Sequence, residues 1–421
     1  MNTEQGSFGF GQNVTGGTAA EPIVVHDRAE LVAELAKPLD GKVIEIGARD
    51  GGNYDFRNAG AGQQLVIAAR NFTIRAQQNV NSVLQNVQLR VDLDRSDNIL
   101  FENLTFRSDG AKDNARDAIV LVATRPAEGV TASGTASVRI TRCSFDGHYD
   151  IAIDSQGVAG RPELLATIDR CLFFDSRPGR RGEGQAKFFN RGAINITVAD
   201  AEDDGDENAD DDGSSSNKAQ GNEAPRPLGN SRVTVAYNVF IDVWRRSPRV
   251  AEGNVAHVFN NLLYRWGFTE SPSDDPTWRG MEVGGGVSGP RGNNGRALIQ
   301  ANRFIPWDEK LDPTIAIKVH RGTSVDFGVT RSDPDQPATP DDARPNRFDT
   351  PQGGVPKTPQ RPDAKGNLAL INIISLYGTL TAPNVLRTGD VQWETDILAN
   401  AGPAGGDATA KTRLQQVLQN A

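Results

Sequence analysis

Six segments of the chain repeat one pattern: Asp97–Phe106 (DNILFENLTF), Ala136–Phe145 (ASVRITRCSF), Leu165–Phe174 (LATIDRCLFF), Ser231–Phe240 (SRVTVAYNVF), Asn254–Leu263 (NVAHVFNNLL) and Arg296–Ile305 (RALIQANRFI). Each alternates apolar and polar residues, then reaches Asn or Cys shortly before a Phe or Leu. Alternation of this length marks strands. The Asn/Cys positions are 103, 143, 171, 238, 261 and 302. The tightest spacings, 23 and 28, fit one rung of a solenoid of short strands. The gaps of 40, 67 and 41 then need inserted loops.

No helical pattern lies between these strands, so βαβ units are not expected. A repeat of strands and turns reads as an all-β right-handed parallel β-helix. Stacked Asn side chains would bond to one another along its axis, and stacked Phe would fill its lumen. A β-sandwich with Asn turns is the alternative; it has no reason to repeat one strand motif. The chain reads as a single domain over 1–421. Residues 1–45 form the entry and cap, 46–330 the coils with an acidic insertion at 200–230, and 331–421 a Pro-rich extended segment and helical tail. Arg28–Leu39 has helical spacing and is the expected N-terminal cap. Arg331–Gly366 carries eight prolines, so it is expected to run along the outside. Thr395–Ala421 holds two short helix-like runs suited to covering an end.

Charge decides little. Asp200–Asp212 holds nine acidic residues; removing them from the 54 acidic residues leaves 45, equal to the 45 Lys and Arg. The net charge of -9 therefore belongs to one solvated loop and implies no nucleic-acid partner. No apolar run approaches the roughly 18 residues of a membrane span. MNTEQGSFGFGQ lacks the basic and apolar regions of a secretory signal. An extracellular location would follow removal of a leader with Met1 added, or release by another route such as lysis of a phage-infected cell. Cys143 and Cys171 are too few for a disulfide framework and occupy matching repeat positions. They read as buried, reduced, small apolar residues, with a bridge between layers as the alternative.

Three features carry chemistry. Arg246-Ser247-Pro248-Arg249 is a doubly cationic turn between two strand runs. Proline fixes its backbone, and arginine suits planar carboxylates better than lysine. Asp150 and Asp154, four apart in a strand, share a face and would make half of a Ca²⁺ site. Asp117, one strand segment earlier, could stack beside either and complete a three-carboxylate cluster. Solvated charges at strand ends are the plain alternative for all three.

The chain resembles the pectate lyase family of β-helical polysaccharide lyases, which includes pectate and pectin lyases. The residues that carry the resemblance are GFGQNVTGG (9–17), NILFENLTF, Asp117-Ala118-Ile119, VRITRCSFDG (138–147), YDIAID (149–154), RSPR followed by VAHVFNNLLYRWG (255–267), ALIQANRF and ILANAGP (397–403). The resemblance implies Asp117, Asp150 and Asp154 as Ca²⁺ ligands and Arg246 as the base. The family motif R-x-P-x-x-R ends here in Ala251, so Arg249 is the remaining substrate-binding arginine. The family's substrate-gripping lysine follows CLFFD, where Arg177, Arg180, Arg181 and Lys187 are the candidates. Ala115 stands where the family has a further carboxylate.

The implied reaction is Ca²⁺-assisted β-elimination on an acidic polysaccharide, a polyuronate. The C5 proton is weakly acidic, so Ca²⁺ bridging the aspartates and the substrate carboxylate would stabilise the enolate-like intermediate. Arginine's free pKa exceeds 12, so Arg246 would need strong local positive potential to act as the base. Two other readings stand beside this one: a non-catalytic glycan-binding β-helix, and a phage tailspike depolymerase in the virion. A secreted enzyme is expected as a monomer and a tailspike as a trimer.

Overall fold

The computed structural model describes residues 8–48, 53–57, 63–78, 80, 82–108, 117–123, 134–147, 151–174, 192–198, 228–267, 280–284, 295–307, 316–319, 324–326, 346–348, 367–368, 380, 397, 399–403 and 412. Its strands fall into three sheets of 11, 9 and 8 strands, and every pairing between them is parallel. One coil shows the plan. Thr135–Thr141 lies in the first sheet, Ser144–Gly147 in the second and Ile151–Gln156 in the third. The chain then returns to the first sheet at Glu163–Asp169, paired with Thr135–Thr141. This is the expected parallel β-helix.

Alternation within each strand sorts side chains between lumen and outside. In the first sheet Ile74, Phe101, Ile140, Ile168, Val235, Val258 and Ile299 are matched coil by coil. All are buried. In the second sheet Phe106, Phe145, Phe173 and Phe240 stack with centroids 5.2, 4.9 and 4.8 Å apart and planes within 9°. Burial of each ring contributes about 2–3 kcal/mol, and the offset stack adds more.

The Asn ladder forms along the turn between the first and second sheets. Asn238 Nδ2 donates to Asn261 Oδ1 (3.0 Å), Asn261 Nδ2 to Asn302 Oδ1 (2.9 Å) and Asn302 Nδ2 to Asn346 Oδ1 (2.9 Å). Each Oδ1 also accepts the backbone N–H of the residue one coil earlier, at 2.8–3.0 Å from Cys171 through Asn302. Asn103 does not share this column. It sits one position earlier, at the left-handed residue that also holds Arg142, Arg170, Tyr237, Asn260 and Ala301 (φ 51 to 58°). Leu104 occupies the column instead, because Leu104 rather than Asn103 directly precedes its second-sheet strand, as Cys143 and Cys171 do. The column is thus apolar in its early coils (Leu104, Cys143, Cys171) and amide in the later ones. Both cysteines are buried and free, and burial pushes the Cys171 thiol well above its ordinary value.

The coils begin earlier than residue 46. Ile23–Val25 already pairs with Val43–Ile46. The helix Arg28–Leu35 lies between these strands, with Asp27 accepting from the Glu30 N–H as its N-cap and Leu31 and Leu35 buried. Residues 8–17 cross the outside of the first sheet. Phe10 N–H bonds Thr234 Oγ1, Gly11 N–H bonds Thr167 Oγ1 and Gly17 N–H bonds Thr73 Oγ1. A Cβ at Gly9 would lie 2.6 Å from Thr167 Oγ1, so close approach of the two backbones needs glycine there.

Under this segment lie buried polar groups of the first sheet's outer face. Burial would raise the Asp169 carboxyl, but Arg139 and Arg170 together outweigh it and hold it below the usual carboxylate range. Burial drives His257 down to about 3, so its ring is neutral.

Two pieces beyond residue 330 add rungs instead of running outside. Arg347–Phe348 pairs with the second sheet and Asn367–Leu368 with the first. Their Arg-Phe and Asn-Leu pairs carry the strand alternation that the surrounding prolines obscure. Apart from these and Asn346, 331–366 lies outside the described residues, as does most of the acidic insertion. Near the C-terminus Ile397 and Ala401 are buried in one cluster with Leu172, Val239, Ile241 and Leu262 on the flank of the coils. Gly402 N–H bonds Arg170 O there. The second helix-like run lies outside the described residues apart from Thr412.

Candidate active site

The third sheet holds Asp154 and Arg249 of the sequence-predicted site. Its strands place Arg90, Val120, Asp154, Asn195, Arg249, Glu282 and Lys318 in one row, a residue per coil. Neighbours in such a row are about 4.8 Å apart at the backbone. The row runs carboxylate, amide, guanidinium, carboxylate, ammonium from Asp154 onward, and Lys318 Nζ lies 3.9 Å from Glu282.

Arg246–Arg249 is not a turn joining two stacked strands. The runs on either side of it pair directly as Arg232–Ala236 and Val255–Phe259 in the first sheet. The motif itself enters the third sheet, where Arg249–Val250 is a strand. Arg245 bridges Gly192, whereas Arg249 pairs with Asn195, so one extra residue is inserted on the arginine side. The insertion falls at Arg246, which has φ 58°, and at the cis Ser247–Pro248 bond. Arg246 is held by its carbonyl, which accepts from Ile194 N–H at 2.8 Å, and by Ser247 N–H, which bonds Gly280 O. A Cβ at Gly192 would lie 2.7 Å from Arg246 Cβ and 3.1 Å from Cδ, so the arginine stem rests on bare backbone. Arg246 is 7% exposed.

Asp154 is buried and accepts from Gln156 Nε2 (2.6 Å) and Asn195 Nδ2 (3.1 Å). Asp117 lies one coil earlier and its Oδ1 accepts from Ile151 N–H at 2.8 Å. Asp117 does not stack beside Asp154. Ile119 pairs with Ile153, which puts Val120 beside Asp154 and Asp117 level with Ile151. Three residues of strand, about 10 Å, separate the two levels. Ca²⁺ takes six to eight oxygens at roughly 2.3–2.6 Å. The described residues contain no group of three or more acidic, His or Cys side chains able to hold a metal; of the three expected ligands they include Asp117 and Asp154. Asp150, and the lysine candidates Arg177, Arg180, Arg181 and Lys187, lie outside the described residues, as does Ala115.

Ala251, where the second family arginine would stand, is fully buried. Its N–H bonds Ile196 O, and the Cβ of any side chain at Gly295 would lie 3.2 Å from Ala251 Cα. The chain at Gly295 thus approaches the Val250–Ala251 backbone closely, and Ala251 has no exposed surface from which a longer side chain could extend without rearrangement.

Asn195, Glu282 and Lys318 were not singled out from the sequence. Asn195 had a signal: it is the polar residue between two isoleucines in Gly192–Thr197, a strand buried along its whole length. Glu282 and Lys318 alternate with apolar neighbours in short strands whose register to the site depends on intervening loop lengths.

No protein-family model matches the chain, and no curated protein does. Among solved structures it is similar to a polygalacturonate lyase fused with a self-assembling amphipathic peptide, at 14% identity and TM-score 0.52, over 95% of this chain and 97% of that one. A Bacillus subtilis pectate lyase mutant matches at 13% identity and TM-score 0.47, over 95% and 97%. Pectate lyase II from Xanthomonas campestris pv. campestris matches at 15% and 0.47, over 94% and 98%. Three parallel sheets wound coil by coil, together with this likeness over nearly the full length, give the chain the right-handed parallel β-helix fold of the pectate lyases.

Proposed function

We propose that the protein is a polysaccharide lyase that cleaves a polyuronate by β-elimination. The observation that carries this reading is the meeting of Arg246, seated on Gly192, with Arg249, Asn195 and Asp154 on adjacent coils of one sheet. A β-helix presents such a row to an extended polymer. In the reaction Arg246, as the neutral guanidine, accepts the C5 proton of a uronate. The electron pair left behind forms the C4–C5 double bond, and the glycosidic oxygen at C4 departs and is protonated by water. Arg249 holds a substrate carboxylate.

Ca²⁺ is part of the proposal, with Asp117, Asp150 and Asp154 as its ligands; bound, it would draw charge from the substrate carboxylate. An extracellular location goes with a polymeric substrate. The test is absorbance of the unsaturated product in the ultraviolet, on pectate, alginate and acidic capsule, with added Ca²⁺ and with chelator. Arg246→Ala should abolish product while circular dichroism stays unchanged. Full activity in that variant would remove Arg246 from the reaction, and full activity in chelator would remove the metal.

A non-catalytic glycan binder is the second reading. It is favoured by the hydrogen bonds that both described aspartates already make within the protein. Binding of a polyuronate with no unsaturated product from the unaltered protein would establish it.

A further inference from the structure

Asn195 and Arg249 stand in register on neighbouring coils. Asn195 is 8% exposed. Its Nδ2 donates to Asp154 Oδ1 (3.1 Å) and to Thr197 Oγ1 (3.2 Å). The amide cannot be turned over, because its oxygen would then face a carboxylate. Asn195 Oδ1 is therefore fixed as an acceptor. It is buried and receives no hydrogen bond. One coil on, Arg249 Nε is also buried and donates none, and the guanidinium forms no ion pair among the described residues. A buried donor and a buried acceptor are rarely both left unmade within one rung of each other.

We propose that Asn195 is the positioning residue for Arg249. When a substrate carboxylate arrives, the Arg249 Nε–H closes onto Asn195 Oδ1. This aims both terminal nitrogens outward as a fork for a planar carboxylate. Asp154 in turn holds Asn195, so the row transmits one geometry from carboxylate to amide to guanidinium. A free uronate carboxylate matches the fork, and its methyl ester, lacking charge and one acceptor position, does not. The inference rests on the polyuronate reading and narrows it to unesterified substrate.

The test is calorimetric titration of the full chain with unesterified and with methyl-esterified oligogalacturonate, carrying Arg246→Ala throughout to prevent cleavage. The parent should bind the unesterified oligomer at least about 10-fold tighter than the ester. Arg249→Lys should raise the Kd for the unesterified oligomer about 10-fold, and Asn195→Ala about 5-fold. In the Arg249→Lys background, Asn195→Ala should add less than about 2-fold, because lysine has no Nε–H to aim. Independent effects that multiply in the double variant would overturn the positioning role, as would an unchanged Kd in Arg249→Lys. That variant removes no hydrogen bond of Arg249 Nε and no ion pair among the described residues, so misfolding of Asn195→Ala leaves the proposal open to refutation. A parent that binds neither oligomer would overturn this inference, and the polyuronate reading falls separately if the unaltered protein yields no unsaturated product from pectate, alginate or acidic capsule.

Discussion

Asn261→Ala should be among the most destabilising single changes in this chain. The Asn261 side chain takes part in five hydrogen bonds. Its Oδ1 accepts from the N–H and the Nδ2 of Asn238, both at 3.0 Å. Its Nδ2 donates to Val235 O (2.9 Å), Phe259 O (3.0 Å) and Asn302 Oδ1 (2.9 Å). Alanine leaves the fully buried Asn238 with an orphaned backbone N–H and one orphaned amide hydrogen. Each unsatisfied buried group costs about 1–3 kcal/mol, so the two together should cost about 2–6 kcal/mol before any cavity is counted.

Cys171→Ala is the control in the same column. Its sulfur makes long contacts, 3.4 Å to Asp169 O and 3.6 Å to Ile140 O, and also neighbours Cys143; its removal should cost about 1 kcal/mol. Urea unfolding followed by far-ultraviolet circular dichroism would compare the midpoints at equal slope. Equal losses in the two variants would refute the argument, since the ladder would then hold the turn by packing and not by hydrogen bonding.

Gly192→Ala should displace Arg246 and lower kcat on the cleaved polyuronate about 100-fold, with a destabilisation of about 1–3 kcal/mol from the crowded Arg246 stem; near-normal kcat would show that the seat is dispensable. His257 is neutral in the fold with its value lowered to about 3. Its contribution to stability is present above the unfolded value of about 6.5 and is lost as pH falls toward 3, on the order of 5 kcal/mol in all. His257→Gln should flatten the stability profile across that window, and an unchanged slope would assign the acid lability elsewhere. Gly9→Ala, strained at φ 78° and crowded by Thr167 and Thr234, should lift residues 8–17 and speed proteolysis there; a cleavage rate equal to that of the unaltered protein would show that the segment is held by other contacts.

The coils were legible because every rung solves the same problem. Each must alternate lumen and solvent faces and turn at the same place, so the Phe stack and the Asn positions recur in the text of the chain. The slip at Asn103 has a local cause: Asn suits both the left-handed turn residue and the ladder residue beside it, and only the following strand tells them apart. The site was legible in part. Arg246 and Arg249 stand out as paired cations about a proline, but their place within a sheet depends on the bulge that lets Arg245 meet Gly192 while Arg249 meets Asn195.

What the sequence by itself determined is the repeating unit: strand, tight turn, strand, with aromatic and amide residues at fixed offsets, which can bury its apolar face only by stacking on its neighbours. What only the tertiary structure decided is which residues meet between coils. Asp154 lies beside Asn195 and not Asp117, Arg246 rests on Gly192, and the glycine-rich segment 8–17 covers a buried His257 and Asp169. The physical reason is that a strand pattern has a period of two and no memory of the loop that precedes it. Register across loops of unequal length is set by lumen packing over many coils at once, and no single segment encodes it.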